Sequence, residues 1–137
     1  FIDEAYSEFS TNESWVTKVN QYPNVIVSQT FSKAYGLAAA RIGVAYASAE
    51  IIDLFNKIKP PYNCSSLNVA AALEALSDNE KVLAQIAEIV SERNRLKNEL
   101  AAVPVIEKVF TSDANFLFLK TTDATAIYNQ LISRGIV

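Results

Sequence analysis

Two short apolar runs, rich in β-branched residues, constrain the fold more than any other feature of this sequence. The first covers residues 25–30 and follows the turn signal Tyr-Pro-Asn at 22–24. The second covers residues 42–47. Runs of this length and composition are typical of buried parallel strands. The residues between them, including Lys33 and Gly36, are expected to form a tight connection. The two runs therefore predict an α/β sheet.

Helical periodicity follows the second run. Residues 49–58 carry apolar side chains at helical spacing, and the prolines at 60–61 end that helix. Ser65 or Ser66 can cap a second helix, which reaches about Leu76.

A long helix comes next and connects two parts of the chain. It is predicted to start at Ser77-Asp78 and to reach about Val103, where Pro104 follows. Its apolar positions include Leu83, Ile86, Val90 and Leu100.

The last part of the chain has a different pattern. Two strand-like runs, 105–110 and 115–120, precede a helix from about Ala124 to Ser133, with Gly135 as its C-cap. The order of elements predicts an α/β domain joined by one long helix to a smaller α+β domain. The expected division is a partial large domain, an interdomain helix and a partial small domain, at residues 1–78, 79–103 and 104–137.

Composition excludes several classes of function. Half of the 137 residues are hydrophobic and the net charge is −3, so neither nucleic acid nor a membrane is an expected partner. The absence of histidine excludes a Ser-His-Asp triad and a histidine-based metal site within this chain. The single cysteine, Cys64, cannot form an internal disulfide, so we expect a small buried side chain and a cytoplasmic protein.

Both ends of the sequence have the composition of interrupted elements. Phe1-Ile2-Asp3 is typical of the tail of a buried strand, and residues 133–137 of a helix stop followed by a new strand. We therefore expect a piece of a longer protein.

Polar side chains of several kinds gather around Lys33 in this predicted fold. Lys33 follows the first strand directly, and ligands bind beyond the carboxyl ends of parallel strands. The other candidates are Asp3, Tyr6, Thr30, Ser32 and Arg41. An amine, a carboxylate, a phenol, hydroxyls and a guanidinium are the groups that pyridoxal phosphate requires for its aldehyde, ring nitrogen, phenolic oxygen and phosphate.

The motifs that contain these residues resemble a known family. Asp3-Glu4-Ala5-Tyr6, the run Thr-Phe-Ser-Lys-Ala-Tyr-Gly-Leu-Ala at 30–38, and Arg41-Ile42-Gly43 resemble class I/II, fold-type I aminotransferases, most of all the histidinol-phosphate aminotransferases. Residues 60–63 and 115–117 resemble later segments of the same family, so the resemblance covers nearly the whole chain. It implies part of the large-domain sheet of that fold, a long helix and part of the small domain.

The resemblance also implies roles for the candidate residues. Lys33 resembles the lysine that forms a Schiff base with pyridoxal phosphate and then moves protons. Asp3 resembles the partner of the ring nitrogen, and Tyr6 the donor to the phenolic oxygen. Three residues resemble ligands of the phosphate: Ser32, Arg41 and, as in some relatives, Thr30.

For the intact parent protein, the resemblance implies transamination between L-histidinol phosphate and 2-oxoglutarate, in histidine biosynthesis, by a homodimer. Family members draw further site residues from outside the segment that this chain resembles, so we expect the chain alone to be inactive and prone to self-association. Two other readings remain open. The parent can be another fold-type I enzyme, such as an aromatic or broad-specificity aminotransferase or a phosphothreonine decarboxylase, or this chain can be a non-catalytic folded piece.

Each candidate residue also has an ordinary structural interpretation. Lys33 can be a solvated surface lysine, Asp3 a turn cap, and Tyr6 a half-buried core residue. Arg41 has two potential ion-pair partners, Glu4 and Asp53.

Four other residues have weaker indications. Tyr62 and Asn63 can lie near a site entrance or a dimer interface, or can simply form the turn after the two prolines. Trp15 and Tyr22 precede a strand and are expected to pack rather than to bind substrate.

Overall fold

The computed structural model describes residues 1–136, which contain two small sheets and four α-helices. The strands are β1 (Ile2–Asp3), β2 (Val27–Thr30), β3 (Gly43–Tyr46), β4 (Ile106–Val109) and β5 (Leu119–Thr121). The helices are α1 (Ala49–Ile58), α2 (Ser66–Ser77), α3 (Asn79–Leu100) and α4 (Ala124–Ser133). Short 3₁₀ turns occupy Ser7–Phe9, Trp15–Lys18 and Ala38–Ala40.

All four helices occur where the apolar periodicity predicts them. Ser65 caps α2, because its Oγ accepts a hydrogen bond from the Asn68 amide at 3.2 Å. Gly135 has a φ of +73° and donates from its amide to the Ile132 carbonyl, which confirms it as the end of α4. The long helix α3 stops at Leu100 rather than Val103, since the residues before Pro104 form tighter turns instead.

The first sheet has the order β1-β2-β3 and is mixed. β1 and β2 are parallel, with Asp3 opposite Ser28. The prediction of a second parallel strand is wrong for β3, which is antiparallel to β2, with Thr30 opposite Gly43. A parallel crossover needs roughly a dozen or more residues and usually a helix. The connection from β2 to β3 contains only the 3₁₀ turn Ala38–Ala40, so the chain reverses direction.

Burial differs between β2, which is the central strand of the first sheet, and β3, which is an edge strand. Val27 in β2 is fully buried, whereas β3 alternates between exposed and half-buried residues. The expected continuous burial is therefore met only in part by β2, where the residues after Val27 are half-buried, and it is wrong for β3, which lies at one edge of the described sheet. At Gly43 the strands approach closely, since a Cβ there would lie 3.0 Å from the Gln29 carbonyl oxygen.

The core lies between the first sheet and α2. Phe31, Ile42 and Ala72 form a buried cluster. On α3 the buried residue is Val82, while the predicted core residue Leu83 is 56% exposed. One step along a helix turns a side chain by about 100°, which carries Leu83 away from the packed face.

Cys64 is exposed, so its expected burial is wrong. It lies in the irregular segment between α1 and α2, and all residues from 59 to 67 are exposed in this structure. Tyr62 and Asn63 lie in the same segment, and Tyr62 is 95% exposed.

The second sheet pairs β4 and β5 antiparallel and is followed by α4, as the strand-strand-helix pattern predicts. β5 is shorter than the run at 115–120 predicts. Residues before it form a loop instead, because the Ser112 hydroxyl donates to the Phe116 carbonyl at 2.6 Å and accepts from the Ala114 amide at 3.1 Å. The division at 1–78, 79–103 and 104–137 stays a prediction.

Within residues 1–136, no helix combines the length and apolar character needed to cross a membrane. The same residues contain no cluster of carboxylates and cysteine that could hold a metal ion.

Candidate functional site

Asp3 ends β1, opposite Ser28 in β2. Its Oδ1 accepts a hydrogen bond from the Ala5 amide at 3.0 Å and lies 3.5 Å from the Ser28 hydroxyl. The turn-cap interpretation of Asp3 is therefore correct for one oxygen. The other oxygen, Oδ2, has no hydrogen-bond partner among residues 1–136, and the side chain is exposed. A second role toward a ligand stays open for it.

Lys33 lies in a turn that follows β2 and is fixed from both sides. Phe31 and Ala34 are 8% and 5% exposed, so they anchor the turn while Lys33 between them is exposed. The Leu37 amide donates to the Phe31 carbonyl at 2.9 Å. Gly36, with a φ of +67°, provides the left-handed residue that the turn requires. The lysine is thus presented to solvent from a rigid base.

Thr30 and Ser32 form a local hydrogen-bonded pair at the start of this turn. Thr30 Oγ1 accepts from the Ser32 amide at 3.1 Å and lies within donating distance of Ser32 Oγ, at 3.0 Å, and of the Ile42 carbonyl, at 3.3 Å. The Thr30 hydroxyl is therefore used within the protein. The Ser32 hydroxyl acts as a donor to no other residue in the described part of the chain.

The Tyr6 ring lies next to two other side chains, those of Lys33 and Phe116. The Lys33 Nζ lies 5.2 Å from the centre of the Tyr6 ring, a cation–π distance. Tyr6 also contacts Phe116 edge to face, with the ring centres 5.5 Å apart and the ring planes at 82°. Tyr6 is half-buried, so the core interpretation is partly correct, but the ring also faces the lysine.

Arg41 reaches the same edge of the sheet because β3 is antiparallel. The start of an antiparallel strand lies beside the end of its neighbour, whereas a parallel β3 would have placed Arg41 at the opposite edge. Its backbone is left-handed, with a φ of 52°, and its Nη1 donates to the Ala38 carbonyl at 3.1 Å. The proposed ion pairs with Glu4 and Asp53 do not form among residues 1–136.

Glu4 is a structural centre that the sequence did not reveal. Its carboxylate accepts hydrogen bonds from the Ser14 hydroxyl at 2.6 Å, the Trp15 amide at 2.7 Å and the Gln29 amide group at 3.0 Å. Burial raises the pKa of Glu4, but these hydrogen bonds outweigh burial and hold the pKa below its ordinary value. The sequence signal for this role was the position of Glu4 directly after Asp3. Because neighbouring residues of a strand point to opposite faces, Glu4 is expected to face away from the side that Asp3 faces.

Glu8 has the opposite character. Burial raises the pKa of its carboxyl above the ordinary value, and its Oε2 is buried without a partner among residues 1–136. Burial and the nearby Glu8 charge also raise the pKa of Tyr35. Glu8, Tyr35 and Tyr46 border a cavity of about 150 Å³ beside β2.

A cleft of about 720 Å³ runs along Asp3, Tyr6 and Trp15, and Lys33 is not part of its lining. The candidate residues therefore share one edge of the sheet without enclosing a finished pocket in residues 1–136. Trp15 and Tyr22 pack against each other, with ring centres 5.9 Å apart, as expected for packing residues.

These observations define the class of protein: an α/β domain with an exposed lysine, a phenol, a carboxylate and hydroxyls near the carboxyl edge of its parallel strands. The chain belongs to the aminotransferase class I and II family, whose model matches residues 1–137.

Individual relatives extend this result. The chain is 49% identical over 136 residues to a histidinol-phosphate aminotransferase from Flavobacterium johnsoniae, covering 99% of this chain and 39% of the relative. It thus spans about two fifths of the length of the curated relatives it matches.

Solved structures confirm the fold-type I assignment. Histidinol-phosphate aminotransferase from Sinorhizobium meliloti, solved in complex with pyridoxal-5'-phosphate, superposes with a TM-score of 0.86 at 34% identity, over 98% of this chain and 38% of that one. L-threonine-O-3-phosphate decarboxylase from Porphyromonas gingivalis superposes with a TM-score of 0.84 at 21% identity, over 98% and 42%. The second match shows a shared fold alone.

Proposed function

We propose that the intact parent protein is a pyridoxal-phosphate-dependent aminotransferase that transfers the amino group of L-histidinol phosphate to 2-oxoglutarate, in histidine biosynthesis. The observation that carries this proposal is the 49% identity to a curated histidinol-phosphate aminotransferase over a segment that contains all six candidate residues. We also propose that the parent is a cytoplasmic homodimer whose partners are the small-molecule amino donor and the 2-oxo acid.

The residues present fit this cofactor. Lys33 offers an exposed amine on a rigid turn, and Tyr6 lies beside it. Asp3 keeps one carboxylate oxygen without a partner in the described residues, and Ser32 keeps an uncommitted hydroxyl hydrogen. An amine, a phenol, an acid and a hydroxyl at one sheet edge match the aldehyde, phenolic oxygen, ring nitrogen and phosphate.

When bound, pyridoxal phosphate supplies an electron sink that stabilises negative charge at the substrate Cα. Lys33 Nζ would hold the cofactor covalently, and as a free amine it would accept the proton that leaves the substrate Cα. Asp3 holds a proton on the ring nitrogen, which keeps the ring able to accept electrons. Tyr6 donates a hydrogen bond to the phenolic oxygen.

The phosphate is held by Ser32 and Arg41 in this proposal. Thr30 contributes mainly by fixing Ser32, because its hydroxyl already bonds to the Ser32 amide and lies near the Ile42 carbonyl. Any direct contact from Thr30 to the phosphate would replace one of these hydrogen bonds.

The first test uses the full-length parent protein and its Lys33→Ala variant. Added pyridoxal phosphate is expected to give a near-visible absorbance band that borohydride fixes covalently, and Lys33→Ala is expected to abolish both. Lys59→Ala, which removes another exposed lysine, is the matched control and should keep the band. A band that survives Lys33→Ala would show that another group holds the cofactor.

The main alternative is another fate of the same substrate complex, such as decarboxylation of O-phosphothreonine. The superposition on a decarboxylase favours no more than a common fold. Assays of the full-length protein with L-histidinol phosphate plus 2-oxoglutarate, and separately with O-phosphothreonine, distinguish the two. Release of carbon dioxide from the second substrate without turnover of the first would reject the aminotransferase proposal.

The chain of 137 residues is proposed to lack activity by itself, because the cleft that Asp3 and Tyr6 line does not include Lys33. The same absorbance experiment on this chain alone is expected to show no stable band.

A further inference from the structure

Arg93 joins two segments that are far apart in the sequence. From α3, its Nη1 donates to the Phe9 carbonyl at 3.2 Å and to the Ala114 carbonyl at 2.7 Å. Arg93 is half-buried, and both acceptors are main-chain oxygens. A charged donor bonded to two carbonyls is a stronger link than a surface ion pair.

Each of the two segments presents one aromatic ring to the site. Phe9 ends a 3₁₀ turn in which its amide donates to the Tyr6 carbonyl at 3.1 Å. Ala114 lies in the loop that Ser112 closes onto Phe116. Arg93 therefore forms hydrogen bonds to Phe9, in the turn that begins at Tyr6, and to Ala114, in the loop that ends at Phe116.

The two rings contact each other, and the Tyr6 ring lies next to the lysine. Phe116 contacts Tyr6 edge to face at 5.5 Å, and Tyr6 in turn lies 5.2 Å from the Lys33 Nζ. Phe116 is 53% exposed, so its position depends on the backbone of its loop rather than on a surrounding core.

We propose that Arg93 is a positioning residue: it holds the segments 7–10 and 112–116 together, so that Phe116 fixes the Tyr6 ring relative to Lys33. This inference rests on the proposed function, because it assigns the fixed Tyr6 hydroxyl to the cofactor's phenolic oxygen. Arg93 performs this role by linking α3 to the turn that follows β1 and to the loop before β5.

The first part of the test measures the link without cofactor. In the full-length apo protein, Arg93→Gln is expected to speed hydrogen–deuterium exchange at 7–10 and 112–116 by about ten-fold or more, as for loss of a charged hydrogen bond. Arg95→Gln is the matched control, since Arg95 lies on the same helix but, among residues 1–136, binds only Glu92 and Glu99 on the exposed surface. Unchanged exchange in Arg93→Gln would show that no link exists.

The second part measures its consequence. In the loaded full-length protein, Arg93→Gln is expected to shift the pH midpoint of the Lys33-dependent absorbance band by about half a unit or more, because a displaced Tyr6 changes the proton equilibrium at the lysine. Phe116→Leu keeps both Arg93 hydrogen bonds, so it should shift the midpoint without faster exchange at 7–10. If Arg93→Gln does not fold, the Phe116→Leu spectrum decides.

Failures of the two proposals give different results. Absence of the band in the unsubstituted protein rejects the proposed function and this role together. A normal band whose midpoint neither variant moves rejects the role of Arg93 in positioning and leaves the proposed function intact.

Discussion

Two glutamates four positions apart show how local contacts give the same side chain opposite properties. Glu4 accepts three hydrogen bonds, so its pKa lies below the ordinary value despite burial. Glu8 has a buried oxygen without a partner in the described residues, so burial dominates and its pKa is raised. Carboxylate hydrogen bonds therefore make Glu4, rather than Glu8, the stabilising group of this segment.

Glu4→Gln is expected to destabilise the full-length protein by about 1–2 kcal/mol at pH 7, because the amide replaces a carboxylate that accepts three hydrogen bonds. The lowered pKa in the folded state means that the contribution of Glu4 is present above the ordinary pKa of 4.5 and is lost as the pH falls through the folded value. Urea unfolding midpoints between pH 3 and pH 7 measure this effect.

Glu13→Gln is the control for this prediction, since Glu13 forms an exposed ion pair with Lys18 at 3.5 Å and should change stability little. A Glu4→Gln loss that is no smaller at low pH than at pH 7 would contradict the assigned cause.

Sequence motifs identified the individual candidates but not their contacts. The Lys33 Nζ lies 5.2 Å from the centre of the Tyr6 ring, and the roles that the resemblance implies for the two residues stay predictions. The partners of Glu4 come from positions 10 to 25 residues away, and no local pattern encodes such pairings. Arg93 was likewise missed, because an arginine on an amphipathic helix has the pattern of an ordinary solvated residue.

Among the elements, the helices followed the sequence pattern more closely than the strands. Residues 49–58 and 124–133 are helical over the predicted ranges. A helix forms its hydrogen bonds within its own segment, so apolar spacing and caps define it locally. β3 needs a partner strand, and it runs antiparallel to β2 because the connection between them contains no α-helix to carry the chain across the sheet.

Ser65→Ala is expected to lower the free energy of unfolding by about 1 kcal/mol, since it removes the side-chain cap of α2. Ser48→Ala is the matched control, because Ser48 precedes α1 without forming a side-chain hydrogen bond there. Chemical unfolding of both variants in the full-length protein compares the two. Equal losses would contradict the cap assignment.

The whole molecule exposes more surface than its size warrants. Its accessible area is 9875 Å², whereas a compact monomer of 15.1 kDa is expected to expose about 7,100 Å². Large apolar side chains contribute to this excess, among them Leu54, Ile58, Tyr62, Leu67, Leu73 and Phe118. Such surface favours association with further protein.

The isolated chain of 137 residues is therefore expected to self-associate. Burial of its exposed apolar side chains lowers the free energy by roughly 25 cal/mol for each Å² removed from water. Sedimentation velocity over a concentration series is the measurement, and the expected result is a weight-average mass that rises above 15.1 kDa. A single monomeric species at high concentration would contradict the prediction.

The motifs around Asp3, Lys33 and Arg41 established the family, and apolar periodicity established the helices, because both depend on residues close together in the chain. Contacts between distant segments decided the rest. They set the antiparallel direction of β3, the three hydrogen bonds to Glu4, and the two hydrogen bonds from Arg93 to the Phe9 and Ala114 carbonyls. Those contacts arise only when the segments pack, so the place of Lys33 beside Tyr6 is a property of the folded chain.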